Sequence, residues 1–362
     1  MTWDRRSLIV GATGSILTGL LASAAVRVGG PASETSTTSP IGGSLRHTTW
    51  LFHDTGDSAV GSIRSLDDVA ELRRSLSEHV AAHPDGQQVD LMIGLGPRVV
   101  AAVDPSLPGT EGLPSFRFDD AMEPAARGTD LAIALEATDP IPSAVVQHLA
   151  AATPSFRLRW SAHGHRVGER ARNPFGFHDE IVIPRTSDEL DEHIRIPDGA
   201  AAGGTMCVIR LLALDVARFS ALDVSRQEAI IGRRRHTGAP LSGSSIDDPI
   251  DLQARSLDGT LLVPERAHVR AANPTLLQSP LMFRRSYEVV DVSLESAARH
   301  RRHALMLFVS YQRSIDTFTA TQRRLDVADD LMSFARPIAS ASMLIPAVVH
   351  PLTDDRELPI PR

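Results

Sequence analysis

Strand-like apolar runs and amphipathic helical stretches follow one another along this chain in a single order. That order restricts the fold more than any other feature. Structure is expected to begin near Trp50-Leu51-Phe52. Ser65 then reads as an N-cap with Asp67 and Asp68 in the first turn, and Val69, Leu72, Leu76 and Val80 follow at helical spacing until Pro84. Val89–Gly94 reads as a short strand and Asp130–Ala137 as another. Ile141–Ala151 reads as a helix with Val145, Val146 and Leu149 on one face, and Phe156–Trp160 as a further strand.

Strand, helix, two strands, helix, strand is the ferredoxin-like α+β order. The second part of the chain repeats the style. Thr205–Leu214 and Leu305–Gln312 read as strands, Gln227–Arg233 as a helix, and Ile315–Phe334 as one long amphipathic helix. There is no strict internal sequence repeat, so any duplication is architectural. The 362 residues exceed what one core usually holds. The expected fold class is therefore α+β, with an N-terminal ferredoxin-like domain over 50–200, a C-terminal one over 201–350, and a tail over 351–362.

Composition narrows the class. A hydrophobic content of 42% suits a packed globular protein, and a formal net charge of −7 argues against a nucleic-acid partner. The run Arg233-Arg234-Arg235 is a local exception that suits a solvated patch or a carboxylate ligand. The one cysteine, Cys207, lies in an expected strand. It rules out a disulfide framework or a multi-cysteine metal site within one chain and reads as a small buried apolar residue.

Residues 1–28 read as an export signal: Arg5-Arg6 precedes Ser7-Leu8-Ile9, an apolar run follows to Val26, and Ala22-Ser23-Ala24 suits a peptidase. The alternative is a retained anchor, against which Gly11, Gly14 and Gly19 lower the hydrophobicity. Residues 29–49, rich in Gly, Ser, Thr and Pro, read as a flexible leader. No later apolar run is long enough to span a bilayer, so stable membrane insertion after cleavage is not expected. The expected location is the periplasm, the cell wall or the extracellular space.

Several common sites are excluded. Gly94-Leu95-Gly96-Pro97 follows a strand but lacks the third glycine of a dinucleotide loop. His163-Gly164-His165 offers only two metal ligands, and Asp54, Asp57 and Asp119-Asp120 lack calcium-loop spacing. Neither a P-loop nor a G-x-S-x-G elbow occurs. What remains is the stretch Val263–Tyr287, VPERAHVRAANPTLLQSPLMFRRSY, in which His268 precedes Asn273-Pro274 and the pair Arg284-Arg285.

That stretch resembles the proximal-haem segment of dye-decolourising peroxidases, whose pattern is H-I-R-x-x-N-P followed by R-R-G-Y. Other matches fall in the family's order: Gly94–Arg98, Arg172–Asp179 (RNPFGFHD), Gly203–Thr205, Ile231–Arg233, Thr237–Leu241 (TGAPL), Leu307–Gln312 (LFVSYQ) and the helix Phe318–Leu331. The resemblance runs from about Trp50 to Pro346. It implies two ferredoxin-like domains of the dimeric α+β barrel type with haem b between them. With the export signal it points to the secreted subgroup that includes the deferrochelatase-like peroxidases.

The resemblance also implies roles. His268 would bind the haem iron and Asp329 would accept from its second ring nitrogen, with Asp330 the rival. Asp179, in the place of the family's G-x-x-D-G acid, would move the peroxide proton. Arg284 would stabilise charge on the departing oxygen, with Arg285 the rival. Phe308 would wall the distal face, and Arg233 and Arg270 would neutralise haem propionates. Trp160 and Tyr287 are the expected electron exits.

The implied partners are hydrogen peroxide and an organic reductant such as a dye or phenol, and a homo-oligomer is compatible with both. This chain departs from the pattern at Glu180, Ser286, Leu305 and Ala339–Pro346, where the family carries glycines. Glu180 is expected to disturb the loop and to raise one carboxyl pKa beside Asp179. A low-turnover haem-binding or iron-release protein is the alternative that these departures favour.

Overall fold

The computed structural model describes residues 46–56, 63–86, 88–120, 122–153, 156–166, 172–179, 181–274 and 279–347. The signal, the leader, the tail and Glu180 lie outside these residues. The first part of the chain runs β1 (His47–Thr55), α1 (Leu66–Ala81), β2 (Asp90–Leu95), α2 (Pro97–Val103), β3 (Leu131–Ala137), α3 (Ser143–Ala151), β4 (Phe156–His165) and α4 (Ser187–His193). The second runs β5 (Thr205–Leu214), α5 (Val216–Ser220), α6 (Val224–Ile231), α7 (His268–Ala271), β6 (Phe283–Val292), β7 (Ala304–Gln312), α8 (Ile315–Ala328) and β8 (Ala335–Ile345).

The caps explain several boundaries. The Ser65 hydroxyl accepts from the Asp68 amide at 3.2 Å, as its position in sequence requires, and so starts α1. Thr186 and Glu189 close a full capping box on α4. The helix expected over Ile315–Phe334 stops at Ala328, because Asp329 takes an extended backbone and caps a separate 3-10 turn over Asp330–Ser333.

The strands close into an antiparallel barrel in the order β1-β3-β2-β8-β5-β7-β6-β4. Strands of the first part occupy consecutive places as β4-β1-β3-β2, and those of the second as β8-β5-β7-β6. Numbered within each part, both orders read 4-1-3-2. The seams are β2–β8, joined at Leu95↔Leu344, and β4–β6. The stretches 50–200 and 201–350 therefore share one closed sheet.

Pairing fixes which side chains face inward. The Tyr287 hydroxyl donates to Glu136, although β6 and β3 are not neighbours in the sheet, so the contact crosses the lumen. Cross-strand partners share a face. The registers then place Trp50, Phe52, Trp160, Cys207, Arg285, Val309 and Tyr311 inside with Tyr287. An eight-stranded barrel is narrow enough for its side chains to fill. The Phe52 and Trp160 rings stack at 3.9 Å.

Arg284, Ser286, Phe308 and Ser310 point outward, and Phe308 packs there against Phe318 of α8. Ser286 and Leu305 sit at regular paired strand positions, where a side chain replaces glycine without backbone strain. Ala339–Ile345 of the divergent C-terminal segment belongs to β8, a buried barrel strand.

One ion pair lies wholly between the sheet and its cover. Arg210 donates to Asp119 at 2.5 Å, with the residues 2% and 3% exposed. Its guanidinium also lies over the Phe116 ring. Removing one partner of such a pair strands a buried charge, so Asp119→Ala is expected to cost about 3–5 kcal/mol in denaturant unfolding. A loss under 1 kcal/mol would mean that water already screens the pair.

Candidate haem and peroxide site

A cavity of about 670 Å3, solvent at its mouth included, opens on the outer side of β6. His268, Val269, Asn273 and Pro274 line it from α7 and the residues that follow, Phe177 and Asp179 from the 172–179 loop, Arg233 from the end of α6, and Arg284 from β6. Ile181, Val182, Ile231 and Ile250 supply apolar wall.

His268 is the first residue of α7, and its Nδ1 lies 2.7 Å from Oδ2 of Asp329. Asp329 is 4% exposed, and its other oxygen accepts from the Leu331 amide at 2.8 Å. The break that ends α8 is thus what turns this carboxylate toward the histidine. Burial pulls the His268 pKa down, but the Asp329 charge and hydrogen bond outweigh it and the net shift is upward. With Nδ1–H given to the carboxylate, Nε2 is the ring nitrogen left for the cavity. Asp330 faces elsewhere, to Arg266 at 2.6 Å and Arg226 at 3.5 Å.

The 172–179 loop is tightly tied. The Asn173 side chain accepts from the amides of Phe175 and Phe177, and Gly176 holds a positive φ of 85°. Arg172 donates to the carbonyls of Gly176, Arg235 and His236, which clamps the loop bearing Asp179 to the turn bearing Arg233. That turn needs Gly238, at a φ of 76°, where an added Cβ would come within 2.9 Å of the His178 ring.

Arg233 and Arg284 bring two positive charges to one cavity. Burial first, and then the neighbouring Arg284 charge, pull the Arg233 guanidinium down to about 10. Such a wall favours an anion between the two groups. Arg285, the rival of Arg284, is turned into the barrel and lies 3.8 Å from Glu136. The basic run is split by the fold: Arg233 is 5% exposed, whereas Arg234 pairs with Glu228 at the surface.

Three expectations change. Arg270 does not line the cavity; its guanidinium donates to the carbonyls of Leu252, Val263 and Pro264, pinning the loop ahead of His268. Phe308 also lies outside the cavity lining and packs against Phe318 of α8. Trp160 and Tyr287 are each only 1% exposed, so neither forms a surface exit. Trp160 ends an expected strand and Tyr287 the motif stretch, and only the barrel closure decides which side of each strand is inside.

The comparisons with known proteins match this geometry. The family "Dyp-type peroxidase, C-terminal" matches residues 170–350. The dye-decolorizing peroxidase of Thermobifida fusca (strain YX) is 31% identical over 319 residues, 80% of this chain and 73% of that protein. The chain belongs to the Dyp-type peroxidase family. Deferrochelatase of Escherichia coli (strain K12) is 27% identical over 199 residues, 50% of this chain and 46% of that protein. Among solved structures, ferric DtpA from Streptomyces lividans aligns at a TM-score of 0.71 and 25% identity, covering 83% of this chain and 89% of that one.

This Dyp-type peroxidase is a haem-dependent enzyme, and the cavity residues fit the group. An imidazole with one nitrogen committed to a buried carboxylate presents the other to a metal, the Arg233 guanidinium suits a carboxylate side arm, and much of the remaining wall is apolar. Among the described residues no cluster of three or more His, Cys, Asp or Glu could hold a metal ion by itself, so His268 would be a single protein ligand to an iron held in a cofactor. Because the supporting partner sets ligand basicity, Asp329→Asn is expected to weaken haem affinity by about 10–100-fold. Titration of the apoprotein with haem measures this, and an unchanged affinity would remove Asp329 from the site.

Proposed function

We propose that this peroxidase reduces hydrogen peroxide at a haem held by His268 and oxidises an organic reductant of the dye or phenol type in one-electron steps. The observation that carries this reading is the His268–Asp329 contact at 2.7 Å, on a cavity that His268 shares with Asp179 and Arg284. Bound haem supplies the iron that takes up the oxidising equivalents of peroxide. Asp179 takes the proton from the peroxide oxygen that enters and returns it to the one that leaves. Arg284 stabilises the negative charge that develops on the departing oxygen. Arg233 neutralises an anionic side arm of the cofactor.

Among the described residues every tryptophan, tyrosine and cysteine is at most 3% exposed. The reductant is therefore oxidised at the cavity mouth rather than at a remote aromatic side chain. The 4-1-3-2 order of strands in each part supports two ferredoxin-like halves fused into one barrel. Arg5-Arg6 and the apolar run behind it support export by the twin-arginine route. No helix among the described residues is long and apolar enough to cross a membrane.

The deciding experiment is an absorption spectrum of protein purified with haem supplied, before and after one equivalent of peroxide. A haem band that shifts with peroxide and returns on adding a phenol supports turnover. A haem band indifferent to peroxide would instead favour iron release or haem carriage, the reading to which similarity with proteins named deferrochelatase points.

A further inference from the structure

The two residues expected to carry electrons outward lie instead within a closed barrel, and one of them is paired for proton transfer. Tyr287 donates its hydroxyl to Glu136 Oε1 at 3.2 Å, and Arg285 stands 3.8 Å from Oε2 of the same carboxylate. Tyr287 is 1% exposed and Glu136 3%. Arg284, on the same strand three residues earlier, reaches the haem cavity from the opposite face of the sheet. At about 3.3 Å per residue, Tyr287 lies roughly 10 Å along β6 from that wall. Tyr311, paired with Phe283 beside Arg284, faces Cys207 across β7 and β5 in the same lumen, but no carboxylate lies opposite it in the ladder.

The geometry points to Tyr287 as an internal one-electron redox site, with Glu136 as its proton acceptor, which takes up an oxidising equivalent when no reductant occupies the cavity. The inference rests on the haem peroxidase reading above, which supplies the oxidant. In the forward step Tyr287 loses one electron to the oxidant that the enzyme generates from hydrogen peroxide. Its phenolic O–H bond breaks, and the proton forms a new O–H bond on Glu136, leaving a neutral tyrosyl radical beside a neutral carboxylic acid. An electron from the organic reductant, with the proton returning from Glu136, restores the pair.

A buried phenol cannot simply lose its electron, because a phenol cation in a low-dielectric interior is costly. A carboxylate at hydrogen-bond distance removes that cost. Burial pushes Glu136 up to about 7, against the pull of Arg285 and of the Tyr287 hydrogen bond. Asp90 from β2 reinforces the rise, and Arg166 beyond β4 opposes it. Above that value the carboxylate is ionised and can accept the proton; below it the site is already filled.

The test is freeze-quenched electron paramagnetic resonance of the holoenzyme mixed with one equivalent of peroxide and no reductant. A tyrosyl signal is expected, lost in Tyr287→Phe and retained in Tyr311→Phe at matched haem content. Its yield should fall about tenfold from pH 8 to pH 6, as the ionised fraction of a group titrating near 7 does. Glu136→Gln, which keeps Tyr287 and the shape of its partner, should give a low yield with no such pH dependence. Tyr287→Phe should also lose its haem band after fewer additions of peroxide.

A signal that survives Tyr287→Phe, or disappears only in Tyr311→Phe, overturns the assignment. So does the absence of any tyrosyl signal from enzyme whose haem band still shifts with peroxide, an outcome that leaves the peroxidase reading standing. A haem band that does not shift at all overturns both. If Tyr287→Phe fails to fold, Glu136→Gln decides: an unchanged yield and pH profile refutes the acceptor.

Discussion

Protein carrying Ala at position 268 is expected to lose its haem band while keeping its fold. His268 is the cavity residue whose ring has one nitrogen fixed by a buried carboxylate and the other left for the metal. Removing the ligand itself should cost more affinity than the about 10–100-fold carried by a supporting residue. The Asp329 carboxylate would remain buried with its Leu331 amide bond alone, so some loss of stability accompanies the change.

Adding free imidazole separates the two effects. If the lesion is the missing ligand, imidazole entering the space vacated by the side chain should restore haem uptake. If His268→Ala binds haem as tightly as the parent protein, with an unchanged spectrum, another residue is the ligand and the site must be assigned again. The melting transition, followed in parallel, shows whether loss of haem merely reports unfolding.

What the sequence disclosed, and what it hid, follows from the range over which each signal acts. Ser65 and the 3.6-residue spacing behind it are local, and α1 begins where they place it. Thr205–Leu214 was legible as a strand because an apolar run of that length, between Gly203-Gly204 and the helix cap Asp215, leaves little alternative. Motif matches placed His268, Asp179, Arg233 and Arg284 together, and the fold brings all four to one cavity.

Failures arose where the answer depended on distant pairing. Arg270 sits two residues from His268, yet its side chain turns back to the carbonyls of its own loop. Trp160 and Tyr287 looked like exits because nothing local says which face of a strand closes a lumen. The end of α8 was hidden because Asp329 and Asp330 suit a helix surface equally well. Only the position of His268, 61 residues earlier, makes an extended Asp329 worth more than one further helical turn.

Asp179→Asn and Arg284→Leu are expected to slow the reaction with peroxide while haem stays bound. Asparagine fills the space of the aspartate but cannot take up the proton, and a positioned acid–base group is worth about 10²–10⁴-fold in rate. Leucine at position 284 removes the charge that meets the departing oxygen, for which losses of about 10²–10³-fold are usual. It also relieves Arg233 of a like-charged neighbour, so the Arg233 pKa should rise toward its ordinary value.

Stopped-flow spectra of the haem band at varied peroxide measure both rates directly, without a reductant. The two residues act on the same bond cleavage, so the double variant should lose far less than the product of the single losses. Rates within a few-fold of the parent for both single variants would show that cleavage proceeds without them and would move the acid–base role elsewhere. A large loss in Arg284→Leu alone would leave charge stabilisation in place but make Asp179 a cavity wall rather than a proton carrier. Glu180, which follows Asp179 directly in the chain, would then be the next carboxylate to replace.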